Sequence, residues 1–413
     1  MNRVFLQLMT VRGMSNPMLI LPIRVAWLTE HLMNISDISV FKAIFSITIT
    51  LMEVPTGIVA DMISRRLSMM LGAFCFSIHA IFYILMPNFL GFALTQIVLG
   101  LGNSFMSGAD SAYLHNHLKN KNNSTGTNGE SDGPNSSNSD NYLKVAGKIR
   151  LFNNIFWAIL SLCSSLLFAF NKESVFYFSS AMGIIAFIAA YKLPQDKIVN
   201  LASNSWNFNF VKKYLEYPLM AIKKIINTKE LLLMAMLTCV VMSFLIFNFE
   251  MYQIKFAQVG IPIQYFGSIY AVSMLLTGLG GGYAEKIVKR LSHNTAFIFL
   301  STAIVSSFII MGVSNSLIGL LVSIILQQFA YGTWDIVMEN IVLDHAPFDD
   351  MKSTLVSMNS FIFNLFKSGL VVGLGIVGQK FGLNFAYIAM SAMLVLVLTL
   401  ITIMLKKQKR CLQ

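Results

Sequence analysis

The chain has 413 residues, of which 55% are hydrophobic and only 12% are charged, and its formal net charge is +11. A mean hydropathy of +0.66 is too high for an ordinary water-soluble domain, so the chain is predicted to lie in a lipid bilayer. Its basic residues do not form a stripe interleaved with aromatic residues, so we expect no nucleic-acid partner.

Apolar runs follow one another along the whole chain. A membrane-spanning helix needs about 20 mostly apolar residues, and we count twelve such runs. The first contains Arg12, Asn16, Pro17 and Arg24, and a cleaved signal peptide is its alternative interpretation. A span is favoured because no small-residue cleavage site follows a compact apolar core. The runs are 5–31, 38–60, 67–86, 89–114, 145–170, 174–193, 231–254, 262–284, 295–313, 316–341, 354–377 and 382–405.

Two polar stretches interrupt this pattern. Residues 119–142 are rich in Asn, Ser and Gly and cannot bury enough apolar surface to order themselves, so we predict a disordered cytoplasmic loop. Residues 194–229 carry paired lysines and aromatic residues, which favour a central cytoplasmic linker with an amphipathic helix on the inner leaflet. The predicted halves of the chain are then 1–193 and 230–413.

The positions of the basic residues predict the orientation. If the amino terminus is cytoplasmic, twenty-three of the thirty Lys and Arg residues fall on the inner side. The outer loops keep little beyond Lys172, Lys255 and Lys380. We therefore expect both termini on the cytoplasmic side of the membrane.

One charged motif occurs twice. Gly57–Arg66 reads GIVADMISRR, and Gly281–Arg290 reads GGYAEKIVKR, 224 residues further on. Each copy lies between two apolar runs, which predicts a short charged turn between two membrane helices. Membrane proteins built from two related halves are typically transporters. We therefore predict an all-α membrane protein with twelve transmembrane helices in two six-helix, pseudo-symmetric halves.

The GxxxaDxxxRR motif after spans two and eight, the twelve spans and the central loop together resemble the major facilitator superfamily over essentially the whole chain. The resemblance implies a secondary transporter in which these loops latch the outward-facing state. The alternative is that the loops only anchor the topology. The residues expected to form the gating loops are Gly57, Asp61, Arg65, Arg66, Gly281, Glu285, Lys289 and Arg290.

A bacterial branch of that family, often labelled drug or macrolide efflux-like, is resembled more closely. The E-V-P-T-G sequence from Glu53 to Gly57 and the segment from Ser107 to Ala112 carry this resemblance, which implies export as the favoured direction of transport. Two features depart from its antiporters: Gln96 replaces their usual arginine, and span five has no GPxxGG. Uptake of a nutrient, metabolite or metal-chelating compound is therefore the alternative.

Polar residues within the spans are candidates for function, because each intramembrane charge costs about 2.5 to 3.5 kcal/mol on insertion scales. In span four they recur every seven positions, within about 60 degrees of one helical face. In span ten they also form one stripe. The alternative for both stripes is hydrogen bonding between helices. The residues are Gln96, Asn103, Asp110 and His117 in span four, and Gln328, Tyr331, Asp335 and Glu339, beside Trp334, in span ten.

Three further charges are expected to matter. Lys367 in span eleven is predicted to pair with Asp335 or Glu339, or to bind an anionic group of the substrate. Arg24, near Trp27, is predicted to pair with Glu250 at the outer end of span seven. The predicted cavity for substrate and protons comprises Arg24, Trp27, Gln96, Asn103, Asp110, Gln328, Tyr331, Trp334, Asp335, Glu339 and Lys367.

Enzymatic function is not expected. The sequence shows no nucleophile–base pair, no metal-ligand spacing and no nucleotide-binding motif. We expect no cofactor and no metal, and the expected partners are a small-molecule substrate, protons and membrane lipids, with the chain acting as a monomer. A non-transporting membrane sensor on the same fold is less favoured, because it would be expected to lose the loop charges and the cavity carboxylates.

Overall fold

The computed structural model describes residues 3–107, 109–110, 113–114, 117, 136–195, 229–344 and 352–411. Within these ranges the chain forms helices and no strand, which confirms the predicted all-α class. The α-helices are α1 (Arg3–Met14), α2 (Arg24–Glu30), α3 (Ile35–Ile58), α4 (Arg65–Leu85), α5 (Phe89–Met106), α6 (Ser136–Phe170), α7 (Ser174–Tyr191), α8 (Lys229–Gln258), α9 (Phe266–Val313), α10 (Leu317–Asp344), α11 (Lys352–Phe381) and α12 (Leu383–Cys411).

Many of these helices are long and apolar enough to cross a bilayer. Eight segments of the described residues meet both requirements, with lengths of 18 to 21 residues. They are Ile35–Glu53, Arg65–Leu85, Phe89–Met106, Phe152–Phe170, Ser174–Tyr191, Cys239–Gln258, Leu317–Trp334 and Leu383–Leu400.

Contacts divide the chain into two compact units. The first unit comprises Met1–Arg24 and Thr48–Ser205, and the second comprises Val25–Ile47 and Trp206–Gln413. Helix α3 is therefore shared: its first part belongs to the second unit and its remainder to the first. A segment from the amino-terminal part of the sequence thus completes the unit that contains α8 to α12.

The first predicted span, 5–31, is not one helix. Helix α1 ends at Met14, a 3-10 segment covers Pro17–Leu19, and α2 begins at Arg24. Asn16 adopts an extended backbone conformation, and its side chain accepts a hydrogen bond from the N–H of Met18 at 3.1 Å. Pro17 has no N–H to continue the α1 ladder, so the interruption follows from these two residues.

The first copy of the charged motif does form a turn. Helix α3, which contains Pro55, passes into a π-helical segment at Val59–Ile63, and Ser64 then adopts an extended conformation with φ −172°. The hydroxyl of Ser64 accepts a hydrogen bond from the N–H of Leu67 at 3.2 Å and so caps α4. The connection between the two helices thus needs a single extended residue.

The second copy lies inside α9, so the predicted spans 262–284 and 295–313 belong to one continuous helical element. The chain nevertheless reverses. The hydroxyl of Thr333 donates a hydrogen bond to the carbonyl of Gly280, and the hydroxyl of Ser323 donates one to the carbonyl of Ser307, each at 2.9 Å. A straight helix would separate residues 280 and 307 by about 40 Å, whereas residues 323 and 333 of α10 are about 15 Å apart. Helix α9 must therefore bend back between residues 281 and 307.

Close backbone contact accompanies this bend. A Cβ atom on Gly332 would collide with the carbonyl oxygen of Thr277, and one on Gly280 would collide with that of Phe329. Small residues here let α9 and α10 approach closely, as expected for the glycine-rich stretch. The explanation does not extend to Gly278, where nothing lies within 4 Å of an added Cβ.

Two predicted boundaries need correction. Helix α5 ends at Met106, because Ser107 has ψ 120°, so the continuous span 89–114 is wrong. Helix α6 begins at Ser136, within the stretch expected to be a disordered loop, and residues 119–135 of that stretch lie outside the described residues. Of the expected linker 194–229, only residues 194, 195 and 229 are described.

Candidate functional site

An ion pair joins α1 to the segment that follows α5 in the first unit. Nε of Arg12 lies 2.9 Å from Oδ2 of Asp110, and the two side chains are 38% and 12% exposed. Because Ser107 interrupts the helix, the spacing of seven residues does not place Asp110 on the face that carries Gln96 and Asn103.

Two of the predicted cavity residues meet at the hydroxyl of Tyr83. Nε2 of Gln96 donates to this hydroxyl at 3.1 Å, and Arg24 also hydrogen-bonds it. Arg24 and Gln96 are both buried. Nδ1 of His79 forms a hydrogen bond with the backbone carbonyl of Phe76 in the same helix.

Two other predicted cavity residues are Asn103 and Trp27. The side chain of Asn103 is exposed, although it lies seven residues after the buried Gln96. Trp27 is buried in the second unit, where its ring centroid lies 4.3 Å from that of His31. Burial of Trp27 is explained by this packing within α2 and the turn that follows it.

A hydrogen-bonded polar network crosses the centre of the second unit. Nδ2 of Asn248 on α8 donates to Oε1 of Gln327 on α10 at 2.6 Å, and the hydroxyl of Tyr252 donates to the same oxygen. Nε2 of Gln328 donates to the Tyr252 hydroxyl at 3.1 Å, and Thr277 of α9 donates to Oε1 of Gln328 at 2.9 Å. Gln328 was predicted from the sequence; Asn248, Tyr252 and Gln327 were not.

A second part of α8 holds the beginning of α2. Oε1 of Gln253 accepts hydrogen bonds from the backbone N–H groups of Val25 at 2.9 Å and Ala26 at 3.1 Å. Nε2 of Gln253 donates to the hydroxyl of Tyr270 at 3.2 Å. One buried amide therefore satisfies helix-end donors that have no partner within their own helix.

A buried ion pair joins α3 to α8. Nζ of Lys42 lies 3.2 Å from Oε1 of Glu250, and the side chains are 17% and 4% exposed. Lys42 was not predicted as a site residue, although a lysine inside an apolar run is a candidate for function because burying its charge is costly. The predicted pairing of Glu250 with Arg24 stays a prediction.

The other predicted residues of the second unit are only partly described. Nζ of Lys367 donates to Oδ1 of Asn364 one turn earlier in α11, at 2.5 Å. Trp334 is buried, and Tyr331 is half-buried. The side chains of Asp335 and Glu339 lie outside the described residues, so their predicted pairing with Lys367 stays a prediction.

Lys255 was predicted to lie in an outer loop. The structure places it inside α8. Its side chain is buried, its ammonium group donates to the amide oxygens of Asn315 and Asn384, and it lies 5.8 Å from the centre of the Tyr387 ring. Helix α8 extends to Gln258, four residues beyond the predicted span, which explains the difference.

A family model described as Major Facilitator Superfamily matches residues 5–368. The chain belongs to the Major Facilitator Superfamily. It is accordingly a secondary transporter rather than an enzyme, as the sequence predicted. No curated protein sequence matches the chain at a significant level.

Solved structures of superfamily transporters share the fold. A nucleoside transporter, NupG, superposes with a TM-score of 0.75 at 15% identity, covering 98% of this chain and 100% of its own. A POT family transporter in complex with a thioalcohol-conjugated peptide gives 0.70 at 11% identity, covering 98% and 95%. A D-xylose–proton symporter gives 0.65 at 12% identity, covering 97% and 96%. Identities this low establish the fold alone.

The superfamily motif residues are placed as follows. The guanidinium of Arg66 lies 5.0 Å from the centre of the Tyr191 ring, so a cation–π contact joins α4 to α7. Arg290 is exposed. The acidic partners predicted for a latch, Asp61 and Glu285, have side chains outside the described residues, as does Lys289. Gating by these loops therefore stays a prediction.

Proposed function

We propose that this superfamily member moves a small organic solute across the bacterial inner membrane by alternating access, with proton binding at Asp110 coupled to the movement. The observation that supports this proposal most directly is the ion pair of Asp110 with Arg12. A largely buried carboxylate is costly to keep ionised without its cation, so loading Asp110 with a proton would release Arg12.

Alternating access requires contacts that form in one state and break in another. Within the second unit, Lys42 pairs with Glu250, and Gln253 holds the N–H groups of Val25 and Ala26. These contacts attach α2 and the first part of α3 to α8. We propose that they break when the transporter changes state, and that both termini face the cytoplasm.

Export is the direction that we favour, because the E-V-P-T-G sequence from Glu53 to Gly57 resembles efflux-like members. Uptake is the second candidate. It is favoured by Gln96, which stands where the antiporters carry arginine and which bonds Tyr83. The direction of solute movement relative to an imposed proton gradient distinguishes the two.

Proteoliposomes with an imposed pH gradient test the coupling, using a solute identified by a thermal-shift screen. We expect Asp110→Asn to abolish gradient-driven accumulation while solute exchange without a gradient persists, because the amide keeps the shape but cannot take up a proton. Asp335→Asn is expected to have the same effect.

Asp37→Asn is the matched control, because Asp37 lies at an exposed helix start where it accepts a hydrogen bond from the N–H of Asn34. Accumulation should survive this substitution. Full gradient-driven accumulation by Asp110→Asn would overturn the role assigned to Asp110.

A further inference from the structure

A chain of hydrogen bonds leads from the start of α2 through Gln253 of α8 to Tyr270 of α9. Oε1 of Gln253 accepts from the backbone N–H groups of Val25 and Ala26. Nε2 of the same amide donates to the hydroxyl of Tyr270, which donates in turn to the backbone carbonyl of Phe249 at 2.8 Å. Tyr270 is 1% exposed and Gln253 is 2% exposed, so water competes little for these hydrogen bonds.

The orientation of the Gln253 amide follows from its partners. Two backbone N–H groups need an oxygen to accept them, so the NH2 group of the amide must face Tyr270. The hydroxyl oxygen of Tyr270 is able to accept from that NH2 group, because its own hydrogen points to a carbonyl that can only accept. Every donor in the chain therefore meets an acceptor, and the chain runs in one direction only.

Tyr270 is fixed to the same turn of α8 that carries Gln253. In an α-helix the N–H of residue 253 bonds the carbonyl of residue 249, and this carbonyl also accepts from the Tyr270 hydroxyl. The ring of Tyr270 packs edge-on against that of Phe249, with the two centroids 4.9 Å apart. Ring and hydroxyl together place Tyr270 where it holds the oxygen of the Gln253 amide toward α2.

The hydroxyl of Tyr270 matters because the Gln253 amide can turn about its last side-chain bond. Without this hydroxyl, the buried NH2 group would lose its acceptor. An amide turned to find another acceptor would bring its NH2 group toward the N–H groups of Val25 and Ala26, where donor would face donor. Loss of one hydroxyl on α9 would thus weaken the contact between α8 and α2.

We propose that Tyr270 is a positioning residue for the Val25–Ile47 segment of the second unit. It acts through Gln253 and sets how readily this segment leaves α8. The inference rests on the proposed release of the segment during transport, and it adds the residue that controls the release.

Ser39 provides a reporter within the Val25–Ile47 segment. It is 1% exposed and lies against α11, where a Cβ atom on Gly375 would collide with its hydroxyl. Ser39→Cys, in a background without native cysteines, exchanges one atom. Its thiol can react with a maleimide only when the segment uncovers it, so the labelling rate of the purified protein measures how often the segment opens.

We expect Tyr270→Phe to raise the labelling rate of Ser39→Cys by about fivefold, the factor that corresponds to one typical hydrogen bond. The aromatic ring stays, so its packing against Phe249 is kept. Tyr387→Phe is the matched control, because it makes the same change at a buried tyrosine whose hydroxyl has no hydrogen-bond partner within the described residues. This control should leave the labelling rate unchanged.

Two further variants separate positioning from a purely structural role. Gln253→Met removes the amide and keeps a side chain of similar length. In that background Tyr270→Phe should cause no further increase in labelling, because the hydroxyl acts through the amide. Ser307→Cys is a second reporter, at a fully buried serine of α9 outside the segment. Its labelling should be the same with and without Tyr270→Phe, whereas general loosening would raise it.

Three results would overturn the inference: unchanged labelling of Ser39→Cys in Tyr270→Phe, a full further increase in the Gln253→Met background, or an equal increase at Ser307→Cys. Failure of the transport proposal is distinguishable, because labelling needs neither solute nor gradient. Labelling that changes as expected in a protein that moves no solute contradicts the transport proposal and leaves the role of Tyr270 intact.

Discussion

Individual side chains in the bilayer show how burial decides the effect of a charge. Glu250 is 4% exposed and Lys42 is 17% exposed, so their attraction is little screened by water. Removing one partner leaves the other buried without its opposite charge, whereas removing both does not. The pair therefore makes α3 and α8 depend on one another.

For the single variant Glu250→Gln we expect a loss of stability of about 3 kcal/mol, because Lys42 stays buried and charged. The double variant Lys42→Met with Glu250→Gln should recover most of that loss. A denaturant titration of the purified protein in detergent measures the free energy of unfolding of both variants. A double variant less stable than Glu250→Gln would contradict this account.

The sequence identified some residues of the site and missed others for a physical reason. Arg24, Gln96 and Asp110 were recognised because polar or charged residues in apolar runs are costly. Asn248 and Gln327 were not recognised, because they do not fall on the polar stripes that singled out Gln96 and Gln328. Their importance follows from a contact between α8 and α10 that spans 79 residues of sequence.

At the scale of helices, the contact between α9 and α10 depends on the absence of side chains. Gly332 lies against the backbone of Thr277 and Gly281, and Gly280 lies against that of Phe329. The hydrogen bonds Thr277–Gln328 and Thr333–Gly280 need this short separation. The glycines thus position one side of the polar network.

We predict that Gly332→Ala destabilises the protein by about 1 to 3 kcal/mol, because backbone atoms of α9 would have to move to admit the methyl group. Gly278→Ala is the matched control: nothing lies within 4 Å of its added Cβ, so its stability should be unchanged or slightly higher. Thermal unfolding of the two variants provides the comparison. Equal losses in both would show that close approach is not the reason for Gly332.

The helical elements were predictable because long apolar runs leave the backbone no partner but itself. Their ends were less predictable. Ser107 ends α5 in the middle of an apolar run, and the charged residues after Gly281 remain helical. In both places the local composition alone therefore did not locate the end of the helix.

For the whole molecule, the position of α3 has the widest consequence. Val25–Ile47 completes the second unit, and Ile35 lies against Gly378 of α11, where an added Cβ would be 3.3 Å from Cγ2 of Ile35. Any change of state that frees this segment must separate Ile35 from Gly378. A covalent link between them would therefore hold the protein in one state.

In a background without native cysteines, we predict that Ile35→Cys with Gly378→Cys forms a disulfide on oxidation and stops solute transport. Reduction should restore transport, because the link and not the substitutions is responsible. Transport assays in proteoliposomes before and after reduction measure this. Ile35→Cys alone is the control and should stay active under oxidation. Undiminished transport by the oxidised double variant would contradict the proposed movement.

The two copies of the charged motif are similar in sequence but connect their helices through different backbone conformations. In the first, Ser64 leaves the helix, so α3 and α4 can change their mutual angle by rotation about the bonds of one residue. In the second, the motif stays helical within α9, which bends back between residues 281 and 307. The two copies therefore connect their helices in different ways, the first through one extended residue and the second through a helical segment.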